Sequence, residues 1–277
     1  EIGLTIFATD RSMRPAGVAF EAEARGFHSL YVPEHTHIPV SRRTPPPTGD
    51  AVLAEEYKRT LDPWVALGAA AAVTSRIRLG TGIALVAQHD AIALAKQVAT
   101  LDWLSGGRAV VGIGYGWNVE EMEDHGIDAK RRRAHVREVM LAMEALWAHE
   151  VAAFAGEHVH FEASWQWPKP LQQPRPPVLI GGAAGPKLFE HIAEFGDGWI
   201  PIGGAGLREA LPALRAAFEA RDRDPASLQL VPMGVLPSRE KLDYFAAAGV
   251  TEAVLRLPSA PRDEVLPELD AFARFVA

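Results

Sequence analysis

The most constraining feature of this chain is a rhythm. Short runs rich in β-branched and aromatic residues alternate with amphipathic stretches, eight of each, from one end to the other. Parallel strands need a crossover connection, so this alternation reads as repeated βα units around a parallel sheet. Strands are expected at Ile2–Ala8, Ser29–Pro33, Ile77–Ala84, Ala109–Gly114, Val178–Gly181, Gly198–Ile202, Gln229–Val235 and Ala253–Leu257. Helical patterns lie at Ala16–Arg25, Asp62–Ser75, Ile92–Leu104, Ala134–His149, Pro186–Glu194, Leu207–Arg221, Ser238–Ala248 and Asp263–Phe275. Gly26, Gly196 and Gly249 each follow such a pattern where a left-handed C-cap favours glycine. Asp62-Pro63 and Ser238 supply N-caps. Eight evenly spaced units read as one α/β domain spanning residues 1–277, a closed (β/α)₈ TIM barrel. A doubly wound open sheet is the competing architecture.

Two stretches break the rhythm. Thr36 to Thr60 carries Pro39, Pro45, Pro46, Pro47 and Gly49 after the second strand, a length that marks a functional lid or a mobile segment. Glu150 to Pro177 reads as a small hairpin around His158 and Phe161, followed by a proline-stiffened entry into the fifth strand.

Composition narrows the classes of function. The formal charge is −7, and no basic stripe interleaves with aromatics, which argues against nucleic acid. The basic run Lys130 to Arg133 reads as a solvated face. Without cysteine there are no disulfides, thiolate metal sites or cysteine nucleophiles. The most apolar stretch, Trp64 to Val73, is too short to span a bilayer, and no signal pattern opens the chain, so the expectation is a cytoplasmic protein with no membrane partner.

In a barrel the site is built from the loops that follow the strands. Pro33-Glu34-His35 sets a carboxylate and an imidazole at the mouth. Period-2 alternation places His35 on the side of Tyr31, and Glu34 with Leu30 and Val32. Imidazole titrates near neutral pH and suits proton transfer beside a hydride acceptor, although a loop histidine bonded to backbone has the same spacing. His35-Thr36-His37 could open a metal site, but the ends of the fifth, sixth and eighth strands offer no histidine or aspartate to complete it, so no metal is expected. Gly181 to Pro186 runs from a strand into a helix, where bare N–H groups could hold a phosphate or simply make a tight turn. Gly112-Ile113-Gly114-Tyr115-Gly116 lacks the third glycine of a dinucleotide fingerprint at the required spacing. Gly80 to Val86 stays apolar off the end of the third strand, either as core or as backing for a flat aromatic cofactor.

Taken together these motifs resemble the bacterial-luciferase-like flavin monooxygenases, and most of all their branch of coenzyme F420-dependent oxidoreductases. The residues that carry the resemblance are Tyr31 to Pro39, Arg78 to Ile83, Ala95 to Asp102 with Leu104 to Arg108, Gly112 to Trp117, and Gly196 to Trp199. The resemblance implies a barrel holding FMN or the deazaflavin F420, its ring over a bulge near Ala84, Leu85 and Val86 that often contains a non-proline cis peptide. It makes His35 the proton-handling residue and sets Glu34 against the ring system, a catalytic pair. It makes Asn118 a polar contact of the cofactor, adds Tyr115 to its surroundings, and assigns its phosphate to the backbone of Gly182, Ala183, Ala184 and Gly185. Tyr115 stands where some deazaflavin dehydrogenases carry a catalytic glutamate, and Pro39 near where they carry a tryptophan.

The implied activity is hydride transfer between F420 and a small organic substrate, with the Pro39–Thr60 loop closing over the pocket. An FMN-dependent monooxygenase using molecular oxygen is the alternative, and a non-catalytic carrier of flavin or F420 a second. A homodimer paired through barrel helices is expected from the resemblance, with the alanine-rich helix Pro63 to Val73 a possible face.

Overall fold

In the computed structural model, which describes residues 1–46 and 52–276, the strands are β1 (Ile2–Thr5), β2 (Ser29–Val32), β3 (Arg78–Thr81), β4 (Ala109–Ile113), β5 (Ala152–Ala155), β6 (His160–Ser164), β7 (Val178–Gly181), β8 (Gly198–Ile200), β9 (Gln229–Leu230), β10 (Met233–Val235) and β11 (Ala253–Arg256). The helices are α1 (Pro15–Ala24), α2 (Pro63–Ala71), α3 (Ala91–Ser105), α4 (Val119–Asp124), α5 (Arg132–Ala148), α6 (Pro186–Phe195), α7 (Leu207–Glu219), α8 (Arg239–Ala248) and α9 (Arg262–Ala273). The main sheet runs β10-β11-β1-β2-β3-β4-β7-β8-β9, and every pairing in it is parallel. β9 and β10 are the two halves of the expected strand Gln229–Val235, interrupted at Val231-Pro232, with Gly234 at φ 75° inside β10 where its register on β11 shifts. One half pairs with β8 and the other with β11, and a bridge from Ile202 to Met233 completes the ring. Eight strand positions therefore close into a barrel, as the rhythm requires. β5 and β6 form the expected hairpin as a separate antiparallel pair.

Side-chain alternation divides the core in two. Tyr31, Val110, Leu179, Ile200, Val231, Met233 and Val254 fill the lumen, with Ile83 packed on them. Their neighbours Leu30, Val32, Val111, Ile180 and Leu255 join the larger layer between sheet and helices. Fully burying side chains of this size contributes roughly 1.5–3 kcal/mol each. At the floor, Glu252 accepts from Ser29 and, at 3.1 Å, from the Tyr31 hydroxyl.

The caps show which local signals were physical. Asp62 accepts from the Val65 N–H at 2.8 Å and Ser238 from that of Lys241 at 3.1 Å, while Gly26 and Gly249 both take φ 81°. Gly196 departs from the expectation: its φ is −98°, and a Cβ there would lie 3.1 Å from Ile180 and from Ile192. That glycine lets α6 approach β7 closely rather than capping in the left-handed region.

Several residues of the resemblance prove to be scaffold. Arg108 is buried and donates to the carbonyls of Ser105 (2.6 Å), Ile77 (2.6 Å), Thr74 (3.0 Å) and Ala71 (3.3 Å), so one guanidinium serves the ends of α2 and α3. Asp102, fully buried, accepts from the side-chain and main-chain amides of Gln172. Gly80 leaves room for the Tyr31 ring, which a Cβ would meet at 2.5 Å.

Candidate active site at the barrel mouth

β3 ends where the peptide between Gly82 and Ile83 is cis. The cis bond thus precedes the Ala84–Val86 stretch where the resemblance set it. The chain then runs beside β4: Ala84 N–H donates to Gly112 O (2.7 Å), and Gly114 N–H to Ala84 O (3.0 Å). Ala84 and Val86 turn into the outer core and Leu85 is buried, leaving Ile83 as the residue packed on the lumen. A Cβ on Gly114 would fall within 3.0 Å of Ile83 Cδ1, and one on Gly181 would lie 3.2 Å from its Cγ2. Ile83 and these two glycines form an apolar platform that any larger side chain on β4 or β7 would fill. Such a surface suits the face of a flat aromatic ring.

Glu34 lies behind the platform. It is 3% exposed; one carboxylate oxygen accepts from the Leu85 N–H at 2.7 Å and the other meets His89 Nε2 at 2.8 Å. Burial disfavours a charged His89, but the Glu34 bond and charge outweigh it and raise its pKa. The Glu34 N–H also donates to the Ile83 carbonyl at 3.2 Å. Glu34 is thus a brace for the bulge, not a carboxylate open to the mouth.

His35 takes the opposite side, as alternation requires. Its Nδ1 lies 2.8 Å from Glu121 Oε2 on α4, and its ring packs with Tyr57 (centroids 5.4 Å) and Trp117 (5.8 Å, edge-on). Nε2 makes no hydrogen bond among the described residues. Asn118, 1% exposed, precedes α4, yet neither polar atom of its amide has a partner among the described residues; Trp117 Nε1 and Glu121 Oε1 are likewise buried and unpaired among them. Leaving a buried polar group unpaired costs about 1–3 kcal/mol, so this cluster marks a place for water or the hydrogen-bonding edge of a ligand.

The loop of Gly182, Ala183, Ala184 and Gly185 leads into α6, whose first residue is Pro186. Gly182 has φ 154°, the N–H groups of residues 183–185 find no backbone acceptor among the described residues, and all four residues are exposed or half-buried. That is the geometry of an anion cradle. Two supports hold it from behind. The Trp199 indole donates to Gly182 O at 2.9 Å, which gives the Gly196-to-Trp199 motif a structural purpose. Tyr115 faces outward, with its hydroxyl 2.8 Å from His191 Nδ1 and Arg133 stacked 4.4 Å from its ring centroid. Burial pushes the Tyr115 phenol up to about 12 against the pull of Arg133, and burial lowers His191. Tyr115 therefore stays a phenol and donates to a neutral His191, so it is no substitute for a carboxylate base.

The long second-strand loop closes one side of the mouth. Its outgoing leg is held on α4 by Glu120, which accepts from the Arg43 N–H and Nε and from Thr44 Oγ1. The Arg43 and Thr44 bonds hold the Glu120 carboxyl down at about 2. The return leg crosses the ends of β1 and β11 through Arg59–Asp10, Arg256–Glu56 and Leu61 N–H to Ala8 O. Tyr57 packs on Phe7 at 4.8 Å, and Thr60 Oγ1 donates to the His35 carbonyl. Pro47 and Gly49 fall outside the described residues. Across the mouth, Ile202 and Leu236 leave apolar side chains exposed. His37 bonds Thr36 and Asp124, and among the described residues no cluster of His, Cys, Asp or Glu is arranged to hold a metal ion. No helix among them is long and apolar enough to cross a membrane.

Of the neighbours of the site, Ile83 lies within the apolar Gly80-to-Val86 stretch and His89 in the loop after the third strand, both singled out by the sequence, whereas Glu121 was not. Glu121 was accessible in principle: Asn118 and Glu121 are three apart, which puts them on one face of any helix that starts there.

Residues 14–248 match the luciferase-like monooxygenase family. An uncharacterized protein of Mycobacterium tuberculosis is 48% identical over 278 residues, covering 99% of this chain and 98% of its own. An F420-dependent glucose-6-phosphate dehydrogenase of Kineococcus radiotolerans is 30% identical over 220 residues, 75% of this chain and 59% of that protein. In fold, the chain superposes on an F420-dependent secondary alcohol dehydrogenase in complex with an F420–acetone adduct, with TM-score 0.77, 18% identity, and 99% and 98% of the two chains covered. It also superposes on a monooxygenase from Streptomyces bottropensis, with TM-score 0.79, 23% identity and the same coverage.

Proposed function

Because the chain belongs to the luciferase-like monooxygenase family, whose members here include F420-dependent and flavin-dependent oxidoreductases, we propose that it is an F420-dependent oxidoreductase acting on a small organic substrate. The observation that carries this reading is His35: a histidine just past the end of β2 whose Nδ1 is held by Glu121 and whose Nε2 makes no hydrogen bond among the described residues. The named activity of the 30%-identical relative supports the choice of coenzyme. Bound there, the deazaflavin supplies a carbon that accepts or releases a hydride.

The chain's own residues do the rest. Ile83, Gly114 and Gly181 back the ring, the Asn118 amide meets its polar edge, and the backbone of Gly182 to Gly185 holds the phosphate. Glu34 acts through Leu85 to keep the platform in place. His35 Nε2 takes the proton of an alcohol or gives one to a carbonyl oxygen. Phe7, Ile202 and Leu236 offer apolar contact to the body of the substrate, and the return leg through Tyr57 shields that side from water. The reading includes a homodimer through α2, which carries no charged side chain and exposes Val65, while the neighbouring helix α1 exposes Phe20.

The test is an anaerobic titration with oxidised F420 and, separately, FMN, followed by absorbance and thermal midpoint. A ligand at 100 times its Kd adds about 2.7 kcal/mol, a shift of a few degrees for a chain this long. Tighter binding of F420, with a His35→Ala variant that keeps the affinity but loses about 10²- to 10⁴-fold in turnover, is the expected result. Preference for FMN moves the reading to oxygen chemistry, and binding of neither coenzyme refutes it.

A further inference from the structure

We propose that Glu121 is the positioning residue of His35, holding its proton on Nδ1 so that Nε2 faces the reacting oxygen as the group that changes protonation. The inference rests on the oxidoreductase reading for its chemistry, but the geometry behind it is independent of any coenzyme.

Glu121 is 1% exposed and sits on the short helix α4, with Oε2 2.8 Å from His35 Nδ1. Its other oxygen is buried and unpaired, so His35 is the sole hydrogen-bonding partner of this carboxylate among the described residues. Burying a carboxylate for packing alone is costly, since an apolar side chain of similar volume would fill the same space without the desolvation. An ionised carboxylate only accepts hydrogen bonds, so the shared proton belongs on Nδ1. That leaves a lone pair on Nε2 in the neutral ring, the opposite of the tautomer that an unconstrained histidine prefers.

The ring has little freedom to escape this choice. The His35 side chain is 6% exposed, Tyr57 and Trp117 pack against it, and Thr60 Oγ1 holds the His35 carbonyl at 2.9 Å. A flip about χ2 would break the Glu121 contact and leave the carboxylate with no partner. The arrangement matches the logic of a carboxylate that orients a catalytic imidazole without itself taking the proton. In the oxidising direction the substrate O–H proton passes to Nε2 as the hydride on the adjacent carbon leaves to the oxidised coenzyme. In the reducing direction the imidazolium returns the Nε2 proton to the oxygen of a carbonyl that has accepted the hydride from the reduced coenzyme. In both, Nδ1–H stays on Glu121. Glu121 therefore supplies what Tyr115, held as a phenol on the far side of β4, does not: a carboxylate coupled to the proton-transfer group.

The experiment compares the wild-type chain with Glu121→Gln and Glu121→Ala. The first readout, on coenzyme-free protein, is the long-range ¹⁵N–¹H correlation spectrum of the histidine rings, with His35 assigned by its disappearance in His35→Asn. Wild type is expected to show the Nδ1–H tautomer for His35, and Glu121→Ala the Nε2–H tautomer. The second readout is kinetic, with the coenzyme that the titration selects. Glu121→Gln should lose about 10²- to 10⁴-fold in kcat, while KM and coenzyme Kd stay within about threefold. A residue that only supports the fold would move the thermal midpoint and KM together instead. His35 in the Nδ1–H form in all three proteins overturns the proposal, as does unchanged kcat in Glu121→Gln. Should Glu121→Ala not fold, the near-isosteric Glu121→Gln carries the same tautomer test, a mixture of forms being the supporting result. If wild type binds neither coenzyme, the oxidoreductase reading fails, and the tautomer readout still decides whether Glu121 sets the state of the ring.

Discussion

Replacing Glu34 with alanine removes two partners from a buried place, the Leu85 N–H at 2.7 Å and His89 Nε2 at 2.8 Å. An orphaned buried N–H costs about 1–3 kcal/mol. Breaking a buried charge pair costs about 3–5 kcal/mol when the survivor must stay charged, but His89 escapes much of that by releasing its proton. A total of about 3 kcal/mol near pH 7.5 is therefore expected. At roughly 2.1 cal/mol/K of unfolding entropy per residue, that lowers the thermal midpoint by about 5 °C.

Glu34→Gln separates the two bonds. Its amide oxygen still accepts from Leu85, and its NH₂ can donate to a neutral His89 but not to a protonated one. The His89 pKa is raised in the folded protein, so the pair's contribution is fully present below about 6.5, the unfolded value, and is lost as pH rises through the folded value. The gap between wild type and Glu34→Gln should therefore be widest near pH 5.5 and narrow toward pH 8.5. Scanning calorimetry at the two pH values reads this directly, with near-UV circular dichroism confirming native packing. Midpoints for Glu34→Ala within 1 °C of wild type at both pH values would refute the brace, and a pH-independent gap for Glu34→Gln would refute the ion pair with His89.

Gly114→Ala, whose Cβ would force Ile83 out of position, should weaken coenzyme binding at least tenfold by titration, with a stability loss of about 1–3 kcal/mol from overpacking. The Glu120 carboxyl is held at about 2, so its contribution is present above about 4.3 and lost as pH falls through that folded value. Glu120→Gln should accordingly flatten the acid limb of stability between pH 5 and 2, measured by denaturant midpoints. Val65→Asp, a charge on the exposed apolar face of α2, should shift a sedimenting dimer to monomer without changing the far-UV spectrum; an unaltered dimer moves the interface off this helix.

The architecture was legible because barrel strands and helices carry strong periodic signals, and because the Asp62 and Ser238 caps are local chemistry. The misses have local causes as well. Helix α4 is a single turn and a half, too short for a 3.6-residue period to register, so Glu121 went unseen although it adjoins a recognised motif. The cis peptide lies within Gly80-to-Val86, at Gly82-Ile83, a bond no local pattern singles out. Gly196 followed the C-cap pattern and serves packing instead, because a glycine required for close approach looks the same in sequence as one required for a left-handed turn.

Glu34 shows how a family resemblance and elementary geometry constrain each other. Alternation assigned it to the wall of Leu30 and Val32, and the resemblance set it against the ring system. The structure reconciles the two: the carboxylate is in the wall, and the bulge it braces is the one beneath the proposed ring. The same division holds for other residues that carry the resemblance. Gly80, Asp102, Arg108 and Trp199 keep room for a ring, tie helices together or hold the Gly182 turn. They identify the scaffold and carry little information about the reaction. What discriminates is confined to a few side chains at the mouth: His35 with Glu121, the outward-facing phenol of Tyr115, and the apolar rim of Phe7, Ile202 and Leu236. Substrate choice in this chain should therefore respond to substitutions at that rim while coenzyme affinity stays constant, because no rim residue contributes to the Ile83–Gly114–Gly181 platform.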